Sequence, residues 1–265
     1  MTGSVGDYNQ RRRECMKQIE LKHPEYIQVT YKKEESYGGS QLWFDESTWM
    51  SRDYKVHKWG CGVIALGDLF LYIGRNDRNY RTNAIGLIHD YGDYISWEDY
   101  RKYILYINSR FAQIIPGSGM NGLMLASAVR HYCVKFRLPM TIAWKAFMDD
   151  QQMIRVIHKM LNEDLPVILA IGPNTPLVFR GKGIPFYRME KNGEFVLSGY
   201  HNVHSHYVTV TGMVGLKHKK VMLRISSWGK EFYIDYQEYR EYIEKEGDRF
   251  TSSLLYLSKE DKKLF

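Results

Sequence analysis

One cysteine of the sequence, Cys61, stands between Gly60 and Gly62 and directly before an apolar run at residues 63–73. Glycines on both sides remove the side chains that would hinder close approach of a ligand to the sulfur and the backbone. A helix N-terminus favours the thiolate, which is the nucleophilic form of cysteine. The pattern therefore predicts that Cys61 opens a helix buried on all sides and is a candidate nucleophile.

A thiol nucleophile needs a base, and His206 is the candidate because it immediately precedes a strand-like run at residues 207–211. The next predicted strand closes with Ser226, Ser227, Trp228 and Gly229, which a hairpin would bring beside the imidazole. Simpler interpretations stay open. Cys61 would then be a small residue at a tight helix start, His206 a hydrogen-bonded strand residue and Trp228 a core residue.

Other reactive side chains give weaker patterns. Cys133 lies inside a predicted helix and is expected to be a small buried hydrophobic residue. His201, His204 and His206 form the one metal-like group, and no carboxylate accompanies them at a typical spacing. The sequence has neither a P-loop nor a dinucleotide-binding glycine motif. We therefore expect no metal and no cofactor, with metal catalysis as a minor alternative.

Composition bounds the class of protein. The 265 residues are 44% hydrophobic and 25% charged, which is ordinary for a globular chain, and 21 tyrosines and 6 tryptophans enrich residues that line clefts. The net charge of +7 favours anionic partners in general. Its local carriers, residues 11–13 and 217–220, fit a solvated helix end and a solvated turn better than a nucleic-acid surface.

Targeting and redox signals predict a cytoplasmic protein. The N-terminus has no apolar signal segment, and no segment reaches the ~18 uninterrupted apolar residues of a membrane helix. Cys15, Cys61 and Cys133 are far apart and show no CxxC spacing. Free thiols are therefore expected, as in a reducing compartment.

Periodicity predicts a single α+β domain over residues 1–265, with helices first and an antiparallel sheet second. Residues 1–50 are interpreted as an N-terminal extension that wraps the core, with a short helix near 11–21. Further helices are predicted after Cys61, after the capping residue Ser96, and at 123–136, 149–161 and 237–244. Strands are predicted at 166–171, 194–197, 207–211, 221–226, 231–235 and 253–257, with Gly212 ending or bending its strand.

The order of these segments resembles the papain-like cysteine peptidases. The match covers roughly residues 59–239: a cysteine opening a buried helix, then "LPVILAIG", "HYVTVTG" and "ISSWG". It is most similar to the small bacterial branch that includes the leader-cleaving peptidases of bacteriocin export. The papain pattern places histidine about 130–150 residues after the cysteine, and here 206 − 61 = 145.

The resemblance implies a papain-like fold, in which an N-terminal helical half with the nucleophile helix packs on a C-terminal antiparallel sheet. It implies Cys61 as nucleophile and His206 as general base and acid, with Ser226 at the position of the family's Asn or Asp. Lys55 replaces the family's oxyanion glutamine, so Lys55 or His57 would have to supply that donor.

Gly60, Gly62 and Trp228 would line the substrate cleft. The expected partner is a peptide or protein substrate, without a membrane or nucleic acid, and the oligomeric state stays open. The two departures leave an alternative: a degenerate papain-like protein that binds peptides without turning them over.

Overall fold

The computed structural model of the chain describes residues 18–89, 94–173, 183–216 and 220–259. Helices in these ranges are α1 (Arg52–Trp59), α2 (Cys61–Asn76), α3 (Trp97–Arg110), α4 (Gly122–Phe136), α5 (Asp150–Asn162) and α6 (Tyr236–Lys245). Strands are β1 (Gln18–Glu20), β2 (Gln28–Tyr31), β3 (Glu34–Glu35), β4 (Tyr94–Ser96), β5 (Met140–Lys145), β6 (Val167–Ile171), β7 (Tyr187–Met189), β8 (Phe195–Leu197), β9 (His206–Gly215), β10 (Val221–Ser227), β11 (Lys230–Asp235) and β12 (Leu254–Lys259).

The large sheet has the order β5-β12-β6-β9-β10-β11-β7-β8, with β1 also paired to β9. Its pairings are antiparallel, as expected for an α+β chain whose strands follow one another closely. A smaller sheet, β3-β2-β4, lies apart from it. The prediction of a mixed α+β fold with a large antiparallel sheet is therefore confirmed, although strands β1, β2 and β3 precede the first helix.

Strand β9 lies at the centre of the large sheet and begins with His206, which stands opposite Ile171 of β6. Its register with β10 shifts: Arg224 faces Gly212, whereas Ile225 faces Val210. One residue of β9 is thus unmatched, which is a β-bulge and adds local twist. The shift matters for function because it decides which side chains at the end of β10 share a face with His206.

Helix α2 packs between the large sheet and α3. Apart from its first residue and its last two, every residue of α2 is buried, as predicted from its apolar circumference. Gly67 allows the close approach of α3, since an added Cβ there would lie 2.4 Å from Ile104 Cδ1. The tight packing fixes the helix that carries Cys61.

Several predicted element starts are confirmed by their caps. The Ser96 side chain accepts a hydrogen bond from Asp99 N–H (3.2 Å) at the start of α3. At the start of α5, Asp149 and Gln152 form a capping box. These signals are local, so they can be recognised without knowing the tertiary structure.

Other predictions were wrong or incomplete. The helix expected near residues 11–21 is instead strand β1 over its described part, where Gln18 faces Val214 at the edge of β9. Gly212 does not end β9, which continues to Gly215. Helix α1 and strand β5 were not predicted. The basic groups at residues 11–13 and 217–219, together with Cys15, lie outside the described residues.

No single helix in the described ranges is long and apolar enough to cross a membrane. Helices α1 and α2 reach that length only together, and they meet at 94°.

Candidate active site

The corner between α1 and α2 positions Cys61. Gly60 ends α1, and its N–H donates to Val56 O at 2.8 Å. A Cβ on Gly60 would lie 2.3 Å from that same oxygen, so no larger residue fits the corner. Within the part of the chain that the structure describes, no side chain caps the N-terminus of α2. The first N–H groups of this helix are therefore available to a negative charge at or near the sulfur.

The sulfur of Cys61 lies in a partly buried and polar position. The residue is half-buried, and burial raises the pKa of its thiol. The backbone N–H groups of Tyr207, Gly62 and Cys61 itself lower the pKa in part. Tyr207 directly follows His206 in the chain, so the N-terminal end of β9 lies beside the sulfur. At neutral pH the net upward direction keeps the thiol protonated.

The imidazole of His206 is 8% exposed and held on two sides. Its Nε2 shares a hydrogen bond with Ser227 Oγ at 2.8 Å, and the indole of Trp228 stacks on the ring with centroids 4.5 Å apart. Burial lowers the pKa of His206 to about 3. The imidazole is therefore neutral at physiological pH, and no carboxylate of the described residues contacts it to stabilise a positive charge.

The serine that touches His206 is Ser227 rather than Ser226, which corrects the orienting role predicted for Ser226. The Ser226 hydroxyl donates to Tyr37 O at 2.8 Å. Consecutive residues of a strand face opposite sides of the sheet, so only one of the two serines can share the face of the ring. Ser226 faces Thr209 across the pair and therefore lies on the other side.

Cys61 and His206 line one narrow pocket. Its lining comes from the loop before α1, the first two turns of α2 and the ends of β9 and β10: Gly39, Gln41, Cys61, Ile64, Ala65, Asp68, His206, Tyr207, Thr209, Ser226, Ser227 and Trp228. The space open to a water-sized molecule is about 10 Å³, which is room for one water. Within the described residues, no hydrogen bond joins Cys61 Sγ to the His206 ring.

The predicted oxyanion donors lie elsewhere. Neither Lys55 nor His57 is among the described residues that line this pocket. The Nδ1 atom of His57 instead contacts Phe44 O at 2.9 Å, and its Nε2 lies 3.3 Å from Glu46. Both are residues of α1, and the His57 ring is held by Phe44 O and Glu46, so the donor predicted from them is not brought to Cys61.

The predicted cleft residues divide into two groups. Trp228 lines the pocket. Gly60 and Gly62 are packed against the protein rather than open to a ligand, since a Cβ on Gly62 would lie 3.3 Å from the Tyr207 ring and 3.6 Å from Leu125. The small size of Gly60 thus permits the sharp bend between α1 and α2, and that of Gly62 permits the contact between α2 and β9.

No model of a known protein family matches the sequence, and no curated protein is significantly similar to it. The chemistry of the pocket therefore has to be inferred from its own residues.

Gln41 is a pocket residue that sequence analysis missed. It begins a short 3₁₀ turn, Gln41–Trp43, which is capped by Ser40. Its Nε2 donates to His57 O near the end of α1 at 2.9 Å, and its buried Oε1 has no hydrogen-bond partner among the described residues. No local pattern marks such a residue, because the contact joins a loop to a helix end 16 residues away.

Asp68 is a second missed residue, and it lies two helical turns after Cys61 on the same face of α2. It is 1% exposed. It accepts hydrogen bonds from Gly39 N–H at 2.8 Å and from the Tyr100 hydroxyl at 2.6 Å. Burial raises the pKa of Asp68 to about 7, against the lowering effect of these two donors. An acid within an otherwise apolar helix was the available sequence signal.

The metal alternative gains no support from the described part of the chain. It contains no group of three His, Cys, Asp or Glu side chains placed to hold a metal ion. His201 and His204 are exposed, and the Nδ1 atom of His204 lies 3.3 Å from Ser205 Oγ.

Proposed function

We propose that the chain is a papain-like cysteine peptidase or a related thiol acyl hydrolase or transferase. Cys61 is the nucleophile and His206 is the general base and acid. The observation that carries this proposal is that these two residues, 145 positions apart (206 − 61), line the same narrow pocket. Thiol acyl transfer requires a cysteine nucleophile and an adjacent base, and a shared pocket brings Cys61 and His206 into one site.

The proton begins on the thiol, because both partners are neutral at physiological pH. As sulfur attacks the substrate carbonyl carbon, the S–C bond forms, the thiol proton moves to Nδ1 of His206, and the carbonyl π electrons move to oxygen. Ser227 holds Nε2, which leaves Nδ1 as the nitrogen that exchanges this proton. The backbone N–H groups of Cys61 and Gly62, at the start of α2, lie beside the sulfur and so near the developing negative charge.

Collapse of this intermediate completes acylation. The bond from carbon to the leaving nitrogen or oxygen breaks, the imidazolium returns its proton to that leaving group, and a thioester remains on Cys61. Water then attacks the thioester through the same proton transfers in hydrolysis, and an amine or alcohol does so in transfer. Because Ser227 carries no negative charge to stabilise the imidazolium, we expect slower turnover than an Asp-supported site gives.

A specific observation favours a second candidate, a degenerate papain-like protein that binds peptides. Sulfur and imidazole share no hydrogen bond within the described residues. The pKa of Cys61 is raised and that of His206 is lowered, the opposite of the directions that a thiolate–imidazolium pair produces. Such a protein would keep the pocket and lose the proton transfer.

An acyl probe separates the two candidates. p-Nitrophenyl acetate should acetylate Cys61, release p-nitrophenol and continue to turn over, with the acetyl group located by peptide mass analysis. Cys61→Ala should abolish acetylation at that position, and His206→Ala should slow it at least about a hundredfold because the proton acceptor is lost. Cys133→Ala, which removes a buried thiol, is the matched control and should match the wild type.

Two results would reject the enzyme. Release of p-nitrophenol at the same rate in wild type and Cys61→Ala would show that the sulfur is not the nucleophile. Acetylation of Cys61 that His206→Ala leaves unchanged would show an ordinary thiol, and the peptide-binding candidate would then be preferred.

A further inference from the structure

A second and larger pocket lies at the far end of α2 from Cys61. It is formed by the end of this helix, the turns that follow it and the segment that leads into β2, and we call it the arginine cleft after Arg75 and Arg81. Its space open to a water-sized molecule is about 230 Å³, compared with about 10 Å³ beside Cys61. None of the described residues lines both pockets. The arginine cleft is therefore a separate site.

Positive charge dominates the wall of the arginine cleft. Arg75 and Arg81 line it and stay charged throughout the physiological pH range. His23 and His89 line it as well, and each adds a positive charge when protonated. Glu25 is the one acidic residue on the wall within the described ranges, and its carboxylate lies 3.8 Å from Nδ1 of His23. An anion in the cleft therefore meets more attraction than repulsion.

The two arginines have different tasks. Arg75 is half-buried in the last turn of α2, where its charge offsets the negative end of the helix. The Arg81 side chain is exposed, and no hydrogen bond or ion pair joins it to another of the described residues. A guanidinium can bind two oxygens of one phosphate or carboxylate group at once. Arg81 can therefore bind a ligand without giving up a contact within the described structure.

The opposite wall, in the segment before β2, is held in place by the fold. Tyr26 has a φ of +59°, in the left-handed region that bulky side chains rarely adopt. Its N–H donates to His23 O at 2.9 Å, which closes a turn. Its ring packs against Tyr37 and Tyr72, with centroids 5.8 and 5.6 Å away. Strained residues fixed by packing in this way occur preferentially at binding sites.

These features fit a small anion with two negative charges. The arginines disfavour a metal cation, and the described residues contain no group of three His, Cys, Asp or Glu side chains placed to hold one. The space is much larger than one water needs and smaller than the ~300–1,000 Å³ of sites for drug-sized ligands. Ile27, Ile85 and Ile88 add apolar side chains to the lining. A phosphate monoester of a small organic group combines the required charge with a part that can lie against these side chains.

We propose that the arginine cleft binds a small phosphate monoester, with the phosphate group held by Arg81 and Arg75. His23 and His89 supply further positive charge from the two walls. The proposal goes beyond the function proposed for Cys61 and does not depend on it, because the two pockets have no described residue in common.

Isothermal titration calorimetry of the full-length protein with glycerol 3-phosphate tests the proposal. Ionic strength is held constant so that general screening is equal in all titrations. Saturable binding is expected with a Kd of about 1 mM or tighter. Glycerate has a similar organic group and a single negative charge, so it should bind at least about tenfold more weakly, as the loss of one charge-assisted hydrogen bond predicts. Inorganic phosphate should also bind more weakly than the ester.

Two variants locate the binding site. Arg81→Gln removes the charge and keeps a polar side chain, and it should weaken glycerol 3-phosphate binding at least about tenfold. Arg155→Gln removes the same charge from an exposed position of α5 outside the cleft, so it should keep the wild-type affinity. Because the Arg81 side chain has no partner among the described residues, Arg81→Gln should fold normally, which urea denaturation checks.

The absence of saturable binding in the wild type would overturn the proposal whatever the variants show. Equal affinities in wild type and Arg81→Gln would overturn it as well. Equal losses in Arg81→Gln and Arg155→Gln would also reject it, because the attraction would then come from the net charge of +7 and not from the cleft. If inorganic phosphate bound as tightly as the ester, the cleft would be a site for free phosphate, and the ester would be rejected.

Discussion

Cys61 and Cys133 are the two cysteines in the described residues, and their surroundings differ. Burial raises the pKa of both thiols, that of Cys133 to about 11. Cys133 lies inside α4, where backbone N–H groups are used by the helix, and burial is the cause that acts on it. Cys61 begins α2, and three backbone N–H groups counteract part of the shift. Position along a helix therefore gives the two thiols different electrostatic surroundings.

The pH dependence of alkylation at Cys61 should show the largest effect. Because the thiol pKa is raised and the His206 pKa is lowered to about 3, no thiolate–imidazolium pair exists at neutral pH. The thiolate fraction, and with it the rate of reaction with iodoacetamide, should rise about tenfold per pH unit, or about a thousandfold from pH 5 to 8. Timed labelling with peptide mass analysis measures it. A plateau between pH 5 and 8 would instead indicate an ion pair.

The second prediction compares the two thiols at one pH. At pH 8, Cys61 should react with iodoacetamide at least about a hundredfold faster than Cys133, whose side chain is buried and whose pKa is about 11. A Cys15→Ser background removes the third thiol. Equal rates would mean that the N–H groups at the start of α2 give Cys61 no advantage.

Sequence analysis identified the helix that begins at Cys61 and the helix that contains Cys133 because the signals for both are local. Cys61 before an apolar run, Ser96 as a cap and His206 before alternating residues each depend on neighbours within a few positions. The helix of Cys133 was likewise predicted, at nearly its observed bounds. Local propensity and capping decide such features whatever the tertiary structure.

The residues that were missed depend on register and on contacts between distant segments. Ser227 rather than Ser226 contacts His206 because the pairing of β9 and β10 shifts register. No feature of the sequence predicts that shift. Gln41 reaches the pocket from a loop with no periodicity. Helix α1 was not predicted because its sequence shows no apolar stripe. Only Asp53 and Val56 are buried in it.

The third prediction concerns the packing of Gly39 against Tyr100, near the helix that carries Cys61. A Cβ on Gly39 would lie 1.7 Å from the hydroxyl of Tyr100, a fully buried residue bound to Asp68. Gly39→Ala should therefore lower the free energy of unfolding by about 3 kcal/mol. Urea denaturation measures it. Gly86→Ala, where an added Cβ meets nothing within 4 Å, is the control and should be near neutral. A neutral Gly39→Ala would show that the loop can move away from Tyr100.

The fourth effect, which is the smallest when taken per pH unit, concerns a carboxyl group that lies on the Cys61 side of the comparison. Burial raises the pKa of Asp68 to about 7, above the ~3.9 of an unfolded chain. Between about pH 4 and 7 the folded state binds more protons than the unfolded state, so Asp68 makes stability fall as pH rises, by at most about 1.4 kcal/mol per pH unit.

Asp68→Asn removes this titration, so its free energy of unfolding should change less steeply between pH 4 and 7 than that of the wild type. Urea denaturation at several pH values gives the slopes. Cys133→Ala should keep the wild-type slope, because a thiol with a pKa of about 11 does not titrate in this range. If Asp68→Asn and the wild type have parallel curves, Asp68 is ionised throughout, and the floor of the Cys61 pocket carries a fixed negative charge. Such a charge would further disfavour a thiolate two helical turns away.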